Sequence, residues 1–180
     1  MTAALLVVDM QHDFLTGPPA AYQPDRLLDV VCRLQQQAKA AGMPVIQTRF
    51  LGRQRHLAAE GTPGADIHPA IGPADHVVLK RSTDAFHETG LSDLLNDVRV
   101  TEVYITGCLT ELCVDATCRS AITRGYETTL VADGHTTADV VIAGVGPRQR
   151  IMLANFVLAQ VGTKDRKIAV RRSAEITFPE

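Results

Sequence analysis

Residues 102–132 read EVYITGCLTELCVDATCRSAITRGYETTLVA, and this stretch decides the predicted fold. Its two ends, residues 102–106 and 128–132, are short apolar runs typical of buried strands. Between them, residues 111–124 predict a helix, which Gly125 would end. A strand, a helix and a second strand in this order predict two parallel strands joined by a crossover helix.

The same alternation of apolar runs and helical segments extends along the rest of the chain. The remaining predicted strands are residues 3–8, 43–48, 76–79 and 167–170, and the remaining predicted helices are residues 27–41, 91–98 and 147–161. We therefore expect one α/β domain over residues 1–180, a three-layer α/β/α sandwich with a six-stranded parallel sheet. Residues 49–75 are rich in glycine and proline, and a connection of this length is usually functional or an oligomer contact.

The composition is that of a globular protein, with 46% hydrophobic and 21% charged residues among 180. A net charge of −2 and only 4% aromatic residues argue against a nucleic-acid partner. The apolar run 3–8 is too short for a membrane span or a signal peptide, so we expect a cytoplasmic protein with no membrane partner. The four cysteines lack the spacing of a structural zinc site, and disulfides are not expected in a reducing compartment.

Reactive side chains follow three of the predicted strands. Asp9 comes after the first strand, Lys80 after the third, and Cys113 in the first turn of the helix that follows the fourth. Because the carboxyl ends of parallel strands meet at one edge of a sheet, we expect a carboxylate, an ammonium and a thiol to converge there. The helix start and the ammonium would lower the pKa of the Cys113 thiol, and a thiolate attacks carbonyl carbons. Asp9 would accept the thiol proton and later deliver it to a leaving amine.

Each of these residues has a purely structural explanation when it is considered alone. An isolated cysteine on a helix is usually a small buried hydrophobe, which is our interpretation of Cys32, Cys108 and Cys118. Three different reactive groups at three strand ends favour catalysis instead. His135, in the turn-rich segment after the fifth strand, is expected to form a pocket wall or a hydrogen-bond partner.

Three segments resemble the motifs of the isochorismatase-like cysteine hydrolases. Residues 5–14 (LLVVDMQHDF) are similar to the aspartate motif, and residues 77–86 (VVLKRSTDAF) are similar to the lysine motif. Residues 106–117 (TGCLTELCVDAT) are similar to the nucleophile motif. The resemblance runs from about residue 3 to residue 170, nearly the whole chain.

The resemblance implies that Asp9, Lys80 and Cys113 form a catalytic set and that the first strand lies beside the fourth. It also implies a cis peptide between Cys108 and Leu109, which would aim an N–H group into an oxyanion hole. A homo-oligomer, a dimer or tetramer, is implied as well, with a partner chain often closing the pocket. The candidate lining residues of the substrate pocket are Phe14, Phe86, Thr110 and His135.

The chain departs from the metal-containing nicotinamidases of this superfamily after the second strand. Those enzymes hold a metal there with an aspartate and histidines, whereas residues 48–56 (TRFLGRQRH) contain no Asp-x-His and three arginines that would repel a cation. An Asp-x-His does occur at residues 66–68, within a segment that resembles an ordinary loop of the family. We therefore expect no catalytic metal and no other cofactor, and nicotinamidase activity is disfavoured.

The combined prediction is a hydrolase that cleaves a C–N bond of a small amide or carbamoyl compound through an acyl-enzyme on Cys113. Two alternatives remain open. The first is a vinyl ether hydrolase of the isochorismatase type, with Asp9 as the acid and Cys113 uninvolved. The second is a non-enzymatic redox or interaction protein that uses the cysteine cluster.

Overall fold

The computed structural model describes residues 2–178, in which a six-stranded, all-parallel sheet lies between two helical layers. The strand order is β3-β2-β1-β4-β5-β6, so β1 and β4 are central neighbours. The predicted three-layer α/β sandwich and the pairing of the first strand with the fourth are confirmed. The strands are β1 (Thr2–Val8), β2 (Val45–Phe50), β3 (His76–Lys80), β4 (Val100–Cys108), β5 (Glu127–Thr136) and β6 (Ala169–Arg171).

Within the described residues, five α-helices connect these strands, together with short 3-10 turns and one π-helical turn. The π-helical turn covers Thr110–Val114 and leads directly into α4, so the single helix predicted over residues 111–124 has two parts. The short helix α1 was not predicted, because it has too few residues to show a periodic apolar pattern. The helices are α1 (His12–Thr16), α2 (Pro24–Ala40), α3 (Leu91–Asp97), α4 (Asp115–Thr123) and α5 (Pro147–Leu158).

The two faces of the sheet bury separate apolar cores. Leu5 and Val7 of β1 face the core beneath α2, whereas Leu6 and Val8 face the core beneath α3, α4 and α5. This alternation follows from the two-residue period of a strand. Since β1 is buried on both sides, every one of its inner positions is apolar, which explains the unbroken run that marked it in the sequence.

The edge strand β3 is less covered than the central strands. Val77 and Leu79 expose 53% and 54% of their surfaces, whereas Val78 and Lys80 are buried. The face of β3 that carries these two side chains is therefore open to solvent, whereas α2 packs over the central strands. None of the helices in residues 2–178 is long and apolar enough to cross a bilayer.

Candidate active site

Asp9 directly follows β1 at the carboxyl edge of the sheet. Its backbone has a positive φ of 47°, and its N–H donates to both the carbonyl and the hydroxyl oxygen of Thr48 on β2. The Thr48 hydroxyl in turn donates to Asp9 Oδ1 over 2.7 Å. These contacts fix a fully buried carboxylate and leave Asp9 Oδ2 directed toward the end of β3.

Lys80, the last residue of β3, supplies the cation. Its Nζ lies 2.7 Å from Asp9 Oδ2 and 3.2 Å from Cys113 Sγ, and it donates to the Ser82 carbonyl over 2.9 Å. Two of the three N–H donors of this buried ammonium thus have hydrogen-bond acceptors, and Asp9 Oδ2 lies at ion-pair distance. The Phe50 ring centroid lies 5.0 Å from Nζ, at cation–π distance.

Cys113 lies in the π-helical turn that follows β4. It exposes 6% of its surface, whereas Asp9 and Lys80 expose 0% and 1%, so the thiol is the most accessible of the three groups. The structure thus brings together the three side chains that the strand ends predicted to converge.

The prediction of a lowered thiol pKa is wrong. Burial and the Asp9 carboxylate raise the pKa of Cys113 to about 12, and the Lys80 ammonium opposes them only in part. Burial by itself lowers the pKa of the Lys80 ammonium, but Asp9 and Cys113 outweigh it and raise that pKa above its ordinary value. The resting arrangement is therefore an ammonium beside a protonated sulfur.

The turn that carries Cys113 is fixed to the end of β1 and to β5. The peptide between Cys108 and Leu109 is cis, and the Cys108 thiol donates to the Asp9 carbonyl over 3.2 Å. Gly107 has a φ of +123°, and a Cβ at this position would overlap the Val8 carbonyl oxygen. Only glycine lets β4 approach β1 this closely.

A buried hydrogen-bond chain links the same turn to α5. His135 Nδ1 lies 2.9 Å from the Thr110 hydroxyl, and His135 Nε2 lies 2.9 Å from Asn155 Oδ1. The Asn155 amide nitrogen donates to the Ala132 carbonyl, so its oxygen is left as an acceptor. His135 Nε2 must then carry the proton, and the Thr110 hydroxyl donates to Nδ1. Burial lowers the pKa of His135, in keeping with this neutral tautomer.

The four candidate pocket residues differ in position. Thr110 lies in the turn with Cys113, and His135 contacts it as a hydrogen-bond partner. Phe14 packs against Phe50, with ring centroids 6.1 Å apart, and through Phe50 it lies close to Lys80.

Phe86 is the exception among the candidate pocket residues. It is buried against Tyr126 and Arg124, beyond the C-terminal end of α4, whereas Cys113 precedes the other end of that helix. Phe86 and Cys113 belong to the same apolar core, but the Phe86 ring stacks on Tyr126 with centroids 5.7 Å apart. The structure thus gives Phe86 a packing role in the core, and its role as a pocket wall stays a prediction.

Sequence reasoning missed three contributors: Thr48, Phe50 and Ser82. Each is an ordinary strand or loop residue in the sequence, with no motif of its own. The strand order supplies the signal, because β2 lies between β1 and β3 and its C-terminal residues must border both Asp9 and Lys80.

The Asp66–His68 segment does not form a metal centre. Asp66 pairs with Arg49 at 2.6 Å, and the His68 ring lies 5.2 Å from that of His12. Within residues 2–178, no three side chains of His, Cys, Asp or Glu cluster in a way that could hold a metal ion.

Comparisons with known proteins agree with this architecture. The isochorismatase domain model matches residues 3–143. A streptothricin hydrolase of Streptomyces noursei is 41% identical over 76% of this chain and 55% of its own length, so the chain spans about half of that relative. Nicotinamidase 3 of Arabidopsis thaliana is 30% identical over 75% of this chain and 73% of its own length.

A solved structure from Burkholderia xenovorans LB400, described as an isochorismatase, superposes with a TM-score of 0.87 at 26% identity. The superposition covers 96% of this chain and 84% of that one. With a matched domain model over most of its length and the same fold, this chain belongs to the isochorismatase family.

Proposed function

We propose that the protein hydrolyses a C–N bond of a small amide or carbamoyl compound, with Cys113 as the nucleophile. The observation that carries the proposal is the contact of Lys80 Nζ with both Asp9 Oδ2 and Cys113 Sγ, at 2.7 and 3.2 Å. A buried carboxylate and a buried thiol that contact one ammonium supply a base, a nucleophile and a fixed positive charge. The relatives named streptothricin hydrolase and nicotinamidase support hydrolysis, and the second name supports an amide substrate.

The first step joins nucleophilic attack to proton transfer. Because the pKa of Cys113 is raised to about 12, its sulfur carries a proton at neutral pH and cannot attack as a preformed thiolate. The Asp9 carboxylate, whose charge raises the pKa of Cys113, accepts this proton while Sγ bonds to the carbonyl carbon. Lys80 stays positive and stabilises the charge that passes through the sulfur.

The intermediate is a tetrahedral adduct with a negative oxygen. The backbone N–H groups at the start of the turn Thr110–Val114 bind this oxyanion, except those of Leu112 and Val114, which donate to the Leu109 carbonyl. Protonated Asp9 then gives its proton to the leaving nitrogen as the C–N bond breaks, which releases an amine or ammonia and leaves a thioester on Cys113.

Water completes the reaction. Asp9, again a carboxylate, takes one proton from the water as its oxygen attacks the thioester carbonyl. The C–S bond breaks, Sγ recovers the proton, and the acid product leaves. No oxidant, reductant or metal enters this sequence, and the proton count on Asp9 and Cys113 returns to its starting value.

The decisive experiment is acid-quenched intact-mass spectrometry during turnover of streptothricin, nicotinamide and a panel of small primary amides. We expect an acyl adduct that maps to Cys113, and loss of turnover in Cys113→Ala. The Cys32→Ala variant is the matched control, because Cys32 lies on α2, away from this turn, and should keep full activity.

The same variants separate the alternatives. A vinyl ether hydrolase would retain activity in Cys113→Ala and lose it in Asp9→Asn. A redox or interaction protein would hydrolyse none of the compounds with either intact or altered Cys113. Full amide turnover by Cys113→Ala would overturn the proposed mechanism.

We also propose that the protein forms a homo-oligomer through α5 and the loop before it. Seven large apolar side chains are exposed along this one surface, and soluble monomers rarely expose so many together. A second copy of the chain would bury them. Light scattering should show an oligomer that Phe156→Glu converts to a monomer. The residues are Val141, Ile142, Val145, Met152, Leu153, Phe156 and Val157.

A further inference from the structure

A cavity of about 520 Å³ lies at the C-terminal end of β5 and is lined by none of Asp9, Lys80 and Cys113. The N-terminal end of α2, the C-terminal end of β5, one face of α5 and the segment after β6 border it, and it is open to solvent on one side. Its floor includes His135 and Asn155, and His135 separates it from Thr110 in the catalytic turn. The volume falls within the usual range for small-molecule sites.

Three arginines, Arg26, Arg148 and Arg172, line this cavity. All three side chains are exposed at its rim, and within residues 2–178 no carboxylate oxygen lies within 4 Å of their guanidinium nitrogens. Arg26 has only a 3.4 Å contact to Gln23 Oε1. The one acid in the lining, Asp133, is already engaged, because its two oxygens accept from the Ser173 N–H and hydroxyl at 2.6 and 2.9 Å. The cavity therefore carries an excess of positive charge.

The backbone adds to this charge. Arg26 lies in the first turn of α2, and Arg148 lies in the first turn of α5. A helix is partially positive at its N-terminus, so a cation there is unfavourable unless an anion accompanies it. Asp25 supplies a negative charge in the first turn of α2, whereas the first turn of α5 contains no acid, so the start of α5 favours an anion in the cavity.

The apolar part of the lining indicates more than a bare inorganic ion. Leu27 of α2 and Ile151 and Met152 of α5 offer hydrocarbon surface beside the arginines. We propose that the cavity binds a small organic molecule bearing an oxyanion, a carboxylate or a phosphate, with its charge between Arg148 and Arg172. Guanidinium groups suit this task because their N–H donors match both anions in paired fashion. This site goes beyond the proposed hydrolysis and does not depend on it.

The test is isothermal titration of the full-length protein with inorganic phosphate and, separately, with succinate, at constant ionic strength. We expect saturable binding of at least one of them, weakened by about tenfold or more in Arg148→Gln/Arg172→Gln, since charge-assisted contacts are lost. Arg53→Gln is the matched control, because it removes an exposed arginine from a distant loop. The two anions distinguish a phosphate site from a carboxylate site.

Cys113→Ala keeps the two proposals separate, since it should abolish hydrolysis and leave anion binding unchanged. The inference is overturned if neither anion binds saturably, or if the double variant binds as tightly as Arg53→Gln. Binding that is equally weakened by Arg53→Gln would also overturn it, because the effect would then be one of overall charge.

Discussion

The ammonium of Lys80 lies 2.7 Å from the carboxylate of Asp9, and both side chains are withdrawn from water. Residues from β1 and β3 thereby form a buried ion pair, although β2 separates these two strands in the sheet. Such a pair is costly to break from one side, because the remaining charge is left buried without a partner. The pair therefore determines both the stability of this edge and the protonation of Cys113.

Lys80→Met should destabilise the protein by about 3–5 kcal/mol, the usual cost of leaving one partner of a buried ion pair. Adding Asp9→Asn to this variant should recover part of the loss, because the orphaned carboxylate is then removed as well. Urea unfolding gives the free energies. Lys164→Met, an exposed lysine, serves as the control and should change stability by less than about 0.5 kcal/mol. Additive losses in the double variant would contradict the pairing.

Asp9→Asn should make Cys113 more reactive toward iodoacetamide while it abolishes amide hydrolysis. The Asp9 carboxylate raises the pKa of Cys113 and Lys80 lowers it, so removal of the carboxylate alone favours the thiolate. A fall of one pKa unit would raise the alkylation rate about tenfold at neutral pH. Peptide mass spectrometry across a pH series measures the rate at Cys113.

Lys80→Met provides the opposing comparison for the same measurement. It removes the group that lowers the pKa of Cys113, so alkylation should become slower than in the unaltered protein. Equal alkylation rates in Asp9→Asn and Lys80→Met would show that these two charges do not control the sulfur.

His135 should make stability fall in mild acid. Burial lowers its pKa in the folded protein, so as the pH drops the unfolded chain takes up the proton first. His135 therefore contributes its full stabilisation above a pH of about 6.5. Below that pH its contribution to the free energy of unfolding declines by up to about 1.4 kcal/mol per pH unit. His135→Gln should flatten this decline between pH of about 6.5 and 5, as measured by urea unfolding. His87→Gln, at an exposed position, should leave the slope unchanged; identical slopes in both variants would refute the assignment.

Gly107→Ala should cost about 3 kcal/mol or more, or prevent folding. Its φ of +123° suits glycine, and an added Cβ meets the Val8 carbonyl, a backbone atom that cannot move aside cheaply. Gly90→Ala is the control, since Gly90 has a φ of −81° and open space around it. Equal urea midpoints for the two variants would show that the close approach of β4 to β1 is not required.

The sheet and the three reactive residues could be predicted from the sequence because both depend on local patterns. Buried parallel strands leave unbroken apolar runs, and a polar residue directly after such a run must lie at the carboxyl edge. Asp9 and Lys80 follow this rule, so their positions could be predicted without knowing the structure of the loops. The rule does not extend to Phe86, which closes the lysine motif but turns into the core against Tyr126.

The direction of the thiol pKa could not be predicted in the same way. The sequence shows that Cys113 follows a strand and begins a helical segment, which favours a thiolate. It does not show how deeply the sulfur is buried or that Asp9 lies against it, and these two factors outweigh the nearby ammonium. Thr48 and Phe50 could not be predicted for a similar reason, because only the strand order places them beside Asp9 and Lys80.

The position of β3 at the margin of the sheet has a consequence for how the protein responds to heat. A strand with one hydrogen-bonded neighbour separates at a lower free-energy cost than the central strands do. If β3 frays, the Lys80 ammonium moves away from the Asp9 carboxylate and the Cys113 thiol. Turnover should therefore decline on warming several degrees before the bulk of the molecule melts, so that activity reports the local integrity of one marginal strand.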